Sequence, residues 1–216
     1  MLSICQRGGL ANRLLTVLSH VSVERSAGRP VVVFWPDSRD FPGEWDECFT
    51  PIVGLLPLPM HPPLKYADIK EFTIAQDCDW KILQELKPSR PVRDSLPDGD
   101  YDAVHIRRTD LSDLVARLGW HPPITDDEYS AFIEESDKEF VWLATDNAET
   151  QARMKARHGS KVRALADMHE PYGFRQTDGQ WTAIDMFACV KAQKFMGSRH
   201  STLTNLIHML RDSATF

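Results

Sequence analysis

Several features that place a chain quickly are missing from this one. No run reaches the roughly 20 apolar residues that a membrane span needs. The nearest candidate, Ile52 to Met60, is short and interrupted by Pro57 and Pro59. Met1-Leu2-Ser3-Ile4-Cys5 has neither a charged leader nor an apolar core, so no signal peptide is expected and the chain reads as cytoplasmic. Cysteine is sparse and scattered: Cys5, Cys48, Cys78 and Cys189 never form C-x-x-C, and no Cys/His set has zinc-finger spacing. Reduced, partly buried thiols are expected. Basic residues are outnumbered, 25 to 31, for a net charge of −6. That balance argues against a nucleic-acid-binding face, although it leaves room for a local basic pocket. Neither a G-x-G-x-x-G fingerprint nor a Walker A loop occurs.

What is present suits a globular α/β protein. The 216 residues are 42% hydrophobic, enough for one large domain or two small lobes. Leu2 to Gln6 reads as a strand, Gly8-Gly9 as a turn, and Leu10 to Ala27 as a helix with Leu10, Leu14, Val17, Leu18 and Val21 at helical spacing. Gly28 stops that helix, and Val31 to Trp35 is a strand apolar enough to be buried on both faces. From Pro36 to Pro63 the chain reads as irregular, with a helical turn at Asp46 to Phe49. Glu71 to Ala75 is expected as a strand and Trp80 to Leu86 as a short helix. Pro88 to Pro97 is expected as a linker, which divides the chain into lobes 1–94 and 95–216.

The second half alternates more regularly. Strands are expected at Ala103 to Ile106, Phe140 to Ala144, Lys161 to Leu165 and Phe195-Met196. Helices are expected at Asp126 to Glu135, Ala148 to His158, Trp181 to Lys194 and from Leu203 to Leu210. Thr125 and Glu128 form a capping box for the first of these helices. Such alternation predicts parallel sheets covered on both faces.

The densest chemistry lies in Asp102-Ala103-Val104-His105-Ile106-Arg107-Arg108-Thr109-Asp110. Val104 and Ile106 alternate with His105 and Arg107, so the polar pair shares one face where the strand ends. Open α/β sheets bind ligands at that end. Two guanidiniums there suit an anion, phosphate above all. The plainer alternative is a solvated Arg-Arg pair with structural salt bridges to Asp110. Gly8-Gly9 at a helix start can bring backbone N–H groups to a phosphate, or can be a tight turn only.

Taken together, four segments resemble the fucosyltransferase superfamily that includes the α1,6-fucosyltransferases, the rhizobial NodZ enzymes and the protein O-fucosyltransferases. They are Gly8-Gly9-Leu10-Ala11-Asn12-Arg13, His105-Ile106-Arg107-Arg108-Thr109-Asp110, Leu143-Ala144-Thr145-Asp146, and Asp185 followed at a distance by Ser201-Thr202. The resemblance implies a GT-B-like fold of two Rossmann-like lobes, the N-terminal, acceptor-side lobe reduced and the C-terminal lobe holding the donor. It implies a glycosyltransferase that moves fucose from GDP-fucose, or another sugar from a related GDP-sugar, to a glycan or other hydroxyl acceptor. Transfer would proceed with inversion, with no metal and no further cofactor. By the same resemblance His105 and Asp185 would recognise guanine, and Arg107 would hold the β-phosphate with support from Arg108. Ser201 and Thr202 would add hydroxyl and N–H contacts, with Asp146 at the strand end beside them. Gly8, Gly9 and Asn12 would approach the phosphates from the other lobe. Tyr172 and Phe174 fall where related enzymes border the nucleotide.

The chain departs from the family pattern at three places. Ala11 replaces a glycine, Leu111 stands where the α1,6 branch has lysine, and Val115 stands where it has the base glutamate. Asp110 and Asp113 are the nearby carboxylates left for catalysis beside Arg107. The missing lysine and glutamate keep open a non-catalytic GDP-sugar-binding protein. A metal-dependent D-x-D glycosyltransferase is the other alternative, on Asp77-Cys78-Asp79 or Asp98-Gly99-Asp100, although 31 acidic residues make chance matches common. Trp120, after the arginine loop, is a candidate sugar-stacking residue.

Overall fold

The computed structural model describes residues 2–5, 9–35, 44–59, 73–168 and 177–213. Gly8, Tyr172 and Phe174 lie outside them. Two parallel sheets organise the chain. The first has the order β1-β2-β3, formed by Leu2–Cys5, Val31–Trp35 and Leu55–Pro59. α1 (Leu10–Ser26) connects β1 to β2, and Arg13 within it is fully buried with its guanidinium 5.4 Å from the Trp35 ring. α2 (Trp45–Cys48) follows, with Trp45 packed edge-on against Trp35.

β3 falls within a stretch expected to be irregular. The prolines there are compatible with an outer strand. Val31 N–H donates to Gly54 O, so even-numbered positions of β3 turn their backbone groups toward β2. Pro57 and Pro59 therefore direct their missing N–H away from the ladder, where no donor is required. The strand expected at Glu71 to Ala75 is not formed over its described part. Thr73 to Ala75 instead lies along α1: Thr73 O bonds His20 Nε2, and Ala75 N–H donates to Ser19 Oγ. Beyond it, Trp80–Glu85 is a 3-10 helix capped by Asp79.

The expected linker contains a helix, α3 (Arg90–Asp94). Ser89 caps it, and Pro91 sits in the first turn, where a helix needs no N–H. Val92 is fully buried, and α3 packs on α7 (Gly179–Lys191).

The second sheet has the order β6-β5-β4-β7, all parallel: β4 is Asp102–Ile106, β5 Val141–Thr145, β6 Val162–Arg163 and β7 Phe195–Met196. The strand expected at Lys161 to Leu165 is thus only two residues long. α4 (Leu111–Leu118) was not foreseen. α5 (Asp126–Glu135) carries the expected capping box, and α6 (Ala148–His158) ends at Gly159, whose φ of 55° suits glycine. α8 (Thr202–Ser213) ends the described chain. Side-chain alternation divides the sheet's two faces. Val104, Ile106, Val141 and Leu143 pack with Tyr129, Ile133 and Met154 from α5 and α6. Ala103, Trp142 and Ala144 face α7 and α8, in a core continuous with α1 and the first sheet. α8 also packs on α1 and on the 3-10 helix, so the chain's last helix joins the two halves. Among the described residues, no helix is long and apolar enough to cross a membrane.

Candidate functional site

The carboxyl ends of β4 and β5 meet the N-terminal turns of α1, α7 and α8 around one cleft. Its empty volume, open solvent included, is about 670 Å³. Gly9, Asn12, His105, Arg107, Asp146, Asp185, Ser201 and Thr202 all line it, as do Thr177 and Thr182. Residues up to 193 positions apart in sequence are thereby gathered, from Gly9 to Thr202.

The strand period explains the placement of His105. It shares a face with Ala103 and so points toward α8, where its Nδ1 lies 2.9 Å from Thr204 Oγ1. Thr204 Oγ1 also accepts the Ser198 N–H at 3.0 Å. That contact needs a glycine at 197, because a Cβ there would overlap the Thr204 side chain. Ser198 Oγ then ties the turn to the strand end. It donates to His105 O at 2.9 Å, accepts Arg107 N–H at 2.8 Å, and lies 2.9 Å from the hydroxyl of buried Tyr129.

Arg107 is braced from its own loop. Its Nε and Nη2 donate to the two carboxylate oxygens of Asp110, at 2.8 and 2.6 Å. Asp110 is thus an ion-pair partner of Arg107 and does not line the cleft. Asp113 is exposed in the first turn of α4, also away from the lining. Arg108 turns the other way. Its Nη2 donates to Ile124 O and Asp126 Oδ1, and its guanidinium lies 5.6 Å from the Tyr129 ring, so it fastens β4 to α5. Burial alone would raise the Asp126 pKa, but the Arg108 and Arg153 guanidiniums outweigh it and hold that carboxyl below its ordinary value. Asp146 Oδ1 accepts the backbone N–H groups of Arg108 and Thr109, which closes the loop between β4 and α4.

Asp185 is 5% exposed, and its Oδ1 accepts the Trp142 indole N–H at 3.0 Å. Burial pushes its pKa up to about 8, and the indole N–H groups of Trp142 and, one turn earlier on α7, Trp181 pull against that rise. At neutral pH this carboxyl therefore holds a proton. Ser201 is buried just before α8, and its Oγ accepts Thr204 N–H. Gly9 occupies the N-cap of α1 with no side-chain cap bond, so the N-terminus of α1 opens toward the cleft beside exposed Asn12.

The remaining candidates lie elsewhere. Asp79 caps the 3-10 helix, Asp77 is in a left-handed turn (φ 62°), and Asp98-Gly99-Asp100 is a turn around Gly99 (φ 83°); none lines the cleft. Among the described residues, no three His, Cys, Asp or Glu side chains gather as a metal-binding group. Trp120 is stacked on His200, centroids 4.8 Å apart, outside the lining. Burial pushes the Cys48 thiol to about 12 and the Cys189 thiol well above its ordinary value, so both are unreactive at neutral pH. Thr177, Thr182, Thr204 and Trp142 were not anticipated in the sequence. For Trp142 and Thr204 a signal existed: strand alternation puts Trp142 on the Ala144 face, and Thr204 is the hydroxyl residue three after Ser201.

This arrangement of two parallel sheets is the GT-B-like fold of fucosyltransferases. NodZ α-1,6-fucosyltransferase soaked with GDP-fucose superposes with a TM-score of 0.61 at 14% identity, over 97% of this chain and 91% of that one. Fucosyltransferase NodZ from Bradyrhizobium gives 0.63 at 15%, with the same coverage. POFUT1 in complex with GDP gives 0.58 at 10%, over 99% of this chain and 96% of that one. No protein-family model matches the chain, and no curated protein sequence matches it.

Proposed function

We propose that the cleft binds the GDP part of a GDP-sugar and that the protein is a glycosyltransferase. It would transfer fucose, or the sugar of a related GDP donor, to a hydroxyl acceptor with inversion and without a metal ion. One observation carries this reading. Residues from four separated segments, namely Gly9 and Asn12, His105 and Arg107, Asp146, and Asp185 with Ser201 and Thr202, line a single cleft in a fold shared with proteins solved with GDP and GDP-fucose.

The cleft suits a guanosine diphosphate. The uncapped start of α1 and the Ser201-Thr202 start of α8 offer backbone N–H groups and positive helix ends to a diphosphate. Arg107, held in place by Asp110, adds a fixed charge. Asp185 and His105 lie at the same cleft with the groups to read a base edge. In the transfer step the acceptor oxygen bonds to the sugar's anomeric carbon as the bond from that carbon to the β-phosphate oxygen breaks. The electron pair passes to the phosphate, and the acceptor proton leaves to solvent or a base. Arg107 stabilises the charge growing on GDP. Asp110 acts by orienting Arg107. The N-terminal half, 1–94, would carry the acceptor side and 95–216 the donor side.

A second reading is favoured by one specific observation: Asp110 is occupied by Arg107, and Asp113 faces solvent. With neither Asp110 nor Asp113 lining the cleft, a GDP-sugar-binding protein that does not turn over is the second reading. Calorimetric titration with GDP, GDP-fucose, UDP and ADP, first in EDTA and then in manganese, tests the site. Binding of GDP and GDP-fucose alone, in EDTA, is expected. Manganese-dependent binding of UDP would overturn the reading. Release of free fucose or of a fucosylated acceptor from bound GDP-fucose separates enzyme from binder.

A further inference from the structure

The hydrogen bond between Trp142 and Asp185 has a use beyond packing. An indole N–H can only donate, so it engages a carboxyl oxygen and bonds more strongly when the group is ionised. Trp142 reaches Asp185 from β5, so a neutral donor holds one oxygen of a buried acid. A carboxylate can accept about four hydrogen bonds. One taken by the indole leaves acceptor positions for a ligand in the cleft that Asp185 lines.

The charge state of that acid decides which base edge it complements. Guanine presents two donors, N1–H and the 2-amino group, and pairs with a carboxylate. Adenine presents one donor and one acceptor, and pairs with a protonated carboxyl, whose O–H serves the ring nitrogen.

Resting on the reading that the cleft holds a guanine nucleotide, we infer that Trp142 is a positioning residue for base selection. Its indole N–H favours the ionised form of Asp185, the two-point acceptor that guanine requires, over the protonated form that adenine pairs with. Other titratable groups near α7 have partners of their own. His105 on β4 bonds Thr204, Asp102 at the other end of β4 bonds Ser136, and Arg13 lies on α1 against Trp35. Cys189 on α7 and Cys48 on α2 are neutral thiols, and Arg211 on α8 donates to backbone carbonyls that include Cys189 O. β5 carries no titratable side chain.

The proposal predicts that GDP binding below the Asp185 pKa releases one proton from that carboxyl to solvent. The β-phosphates of both nucleotides also lose a proton at about pH 6, so the signal is the preference for GDP over ADP, which should rise with pH and then level off. The test is titration of GDP and ADP into wild type, Trp142→Phe and Asp185→Asn across about pH 6 to 9. In Trp142→Phe the levelling point should move up by about one pH unit, with GDP roughly tenfold weaker at neutral pH and within about threefold of wild type at the alkaline end. In Asp185→Asn the pH dependence of the preference for GDP over ADP should vanish. If wild type binds GDP and Trp142→Phe keeps the wild-type profile, the inference is overturned. If wild type binds no GDP at any pH, it is the nucleotide reading that fails. Should Trp142→Phe not fold, the ¹⁵N-labelled wild type decides. One indole N–H resonance must shift with the midpoint of GDP affinity, and that shift must disappear in Asp185→Asn. No tracking resonance would overturn the proposal.

Discussion

The two walls of the cleft are built differently. On the C-terminal wall the polar side chains are tied before any ligand arrives: Arg107 by Asp110, Asp146 by two backbone N–H groups, His105 by Thr204, and Asp185 by Trp142. On the N-terminal wall Gly9 to Asn12 present mostly backbone at an uncapped helix start, with Asn12 exposed. A pre-tied wall gives direction, because its donors and acceptors need no reordering when a ligand binds. A helix start gives attraction to negative charge with little selectivity. On the proposed reading, base and leaving-group discrimination would belong to the C-terminal wall, and general phosphate affinity would be shared.

Substitutions sharpen this contrast. The largest effect is expected for Arg107→Ala. Turnover of GDP-fucose should fall by about 10² to 10³, the range for removing a donor aimed at developing charge, with the fold intact by circular dichroism. Activity surviving within tenfold would remove its role on the leaving group. Gly197→Ala comes next, because the new methyl would collide with Thr204 and so disturb His105 and Ser198 together. A loss of about 1–3 kcal/mol in stability, measured by urea unfolding, should accompany weakened GDP binding. An unchanged midpoint would show that the turn can absorb the methyl.

Asp185 supplies a pH signature of its own. The folded protein holds the proton up to about pH 8, whereas an unfolded aspartate loses it near pH 4. Its contribution to stability is thus fully present below the unfolded pKa and declines as pH rises toward the folded one. Asp185→Asn should flatten that decline, so its melting temperature should exceed that of wild type by more at pH 8 than at pH 5. An equal difference at both values would contradict the buried, protonated acid. The smallest effect belongs to the N-terminal wall. Asn12→Ala should weaken GDP by roughly 2- to 10-fold, the worth of one exposed hydrogen bond, with no change in the preference for GDP over ADP. A change in base preference there would break the division of labour between the walls.

Much of this could be read from the residues. The alternation of β4 and β5, the capping box at Thr125, the stop at Gly159 and the joint occurrence of four motifs all rest on local pattern, and the structure shows the corresponding elements. Prolines misled where their meaning depends on neighbours. Pro57 and Pro59 suggested irregular chain, yet they fit an outer strand, and Pro91 suggested a linker, yet it lies in the first turn of a helix. α4 escaped notice because its apolar positions follow directly on a dense polar motif.

The residues themselves determined the α/β class, the strand-end location of the arginines and the list of groups that could meet a nucleotide, since these depend on periods of two and 3.6 and on side-chain chemistry. Only the tertiary structure decided what each group is bonded to. It turned Arg107 toward the cleft and Arg108 toward α5, engaged Asp110 as a brace, left Asp113 in solvent, and buried Asp185 under an indole. Those outcomes depend on which distant side chain arrives within hydrogen-bond reach, and no spacing along one segment encodes that distance.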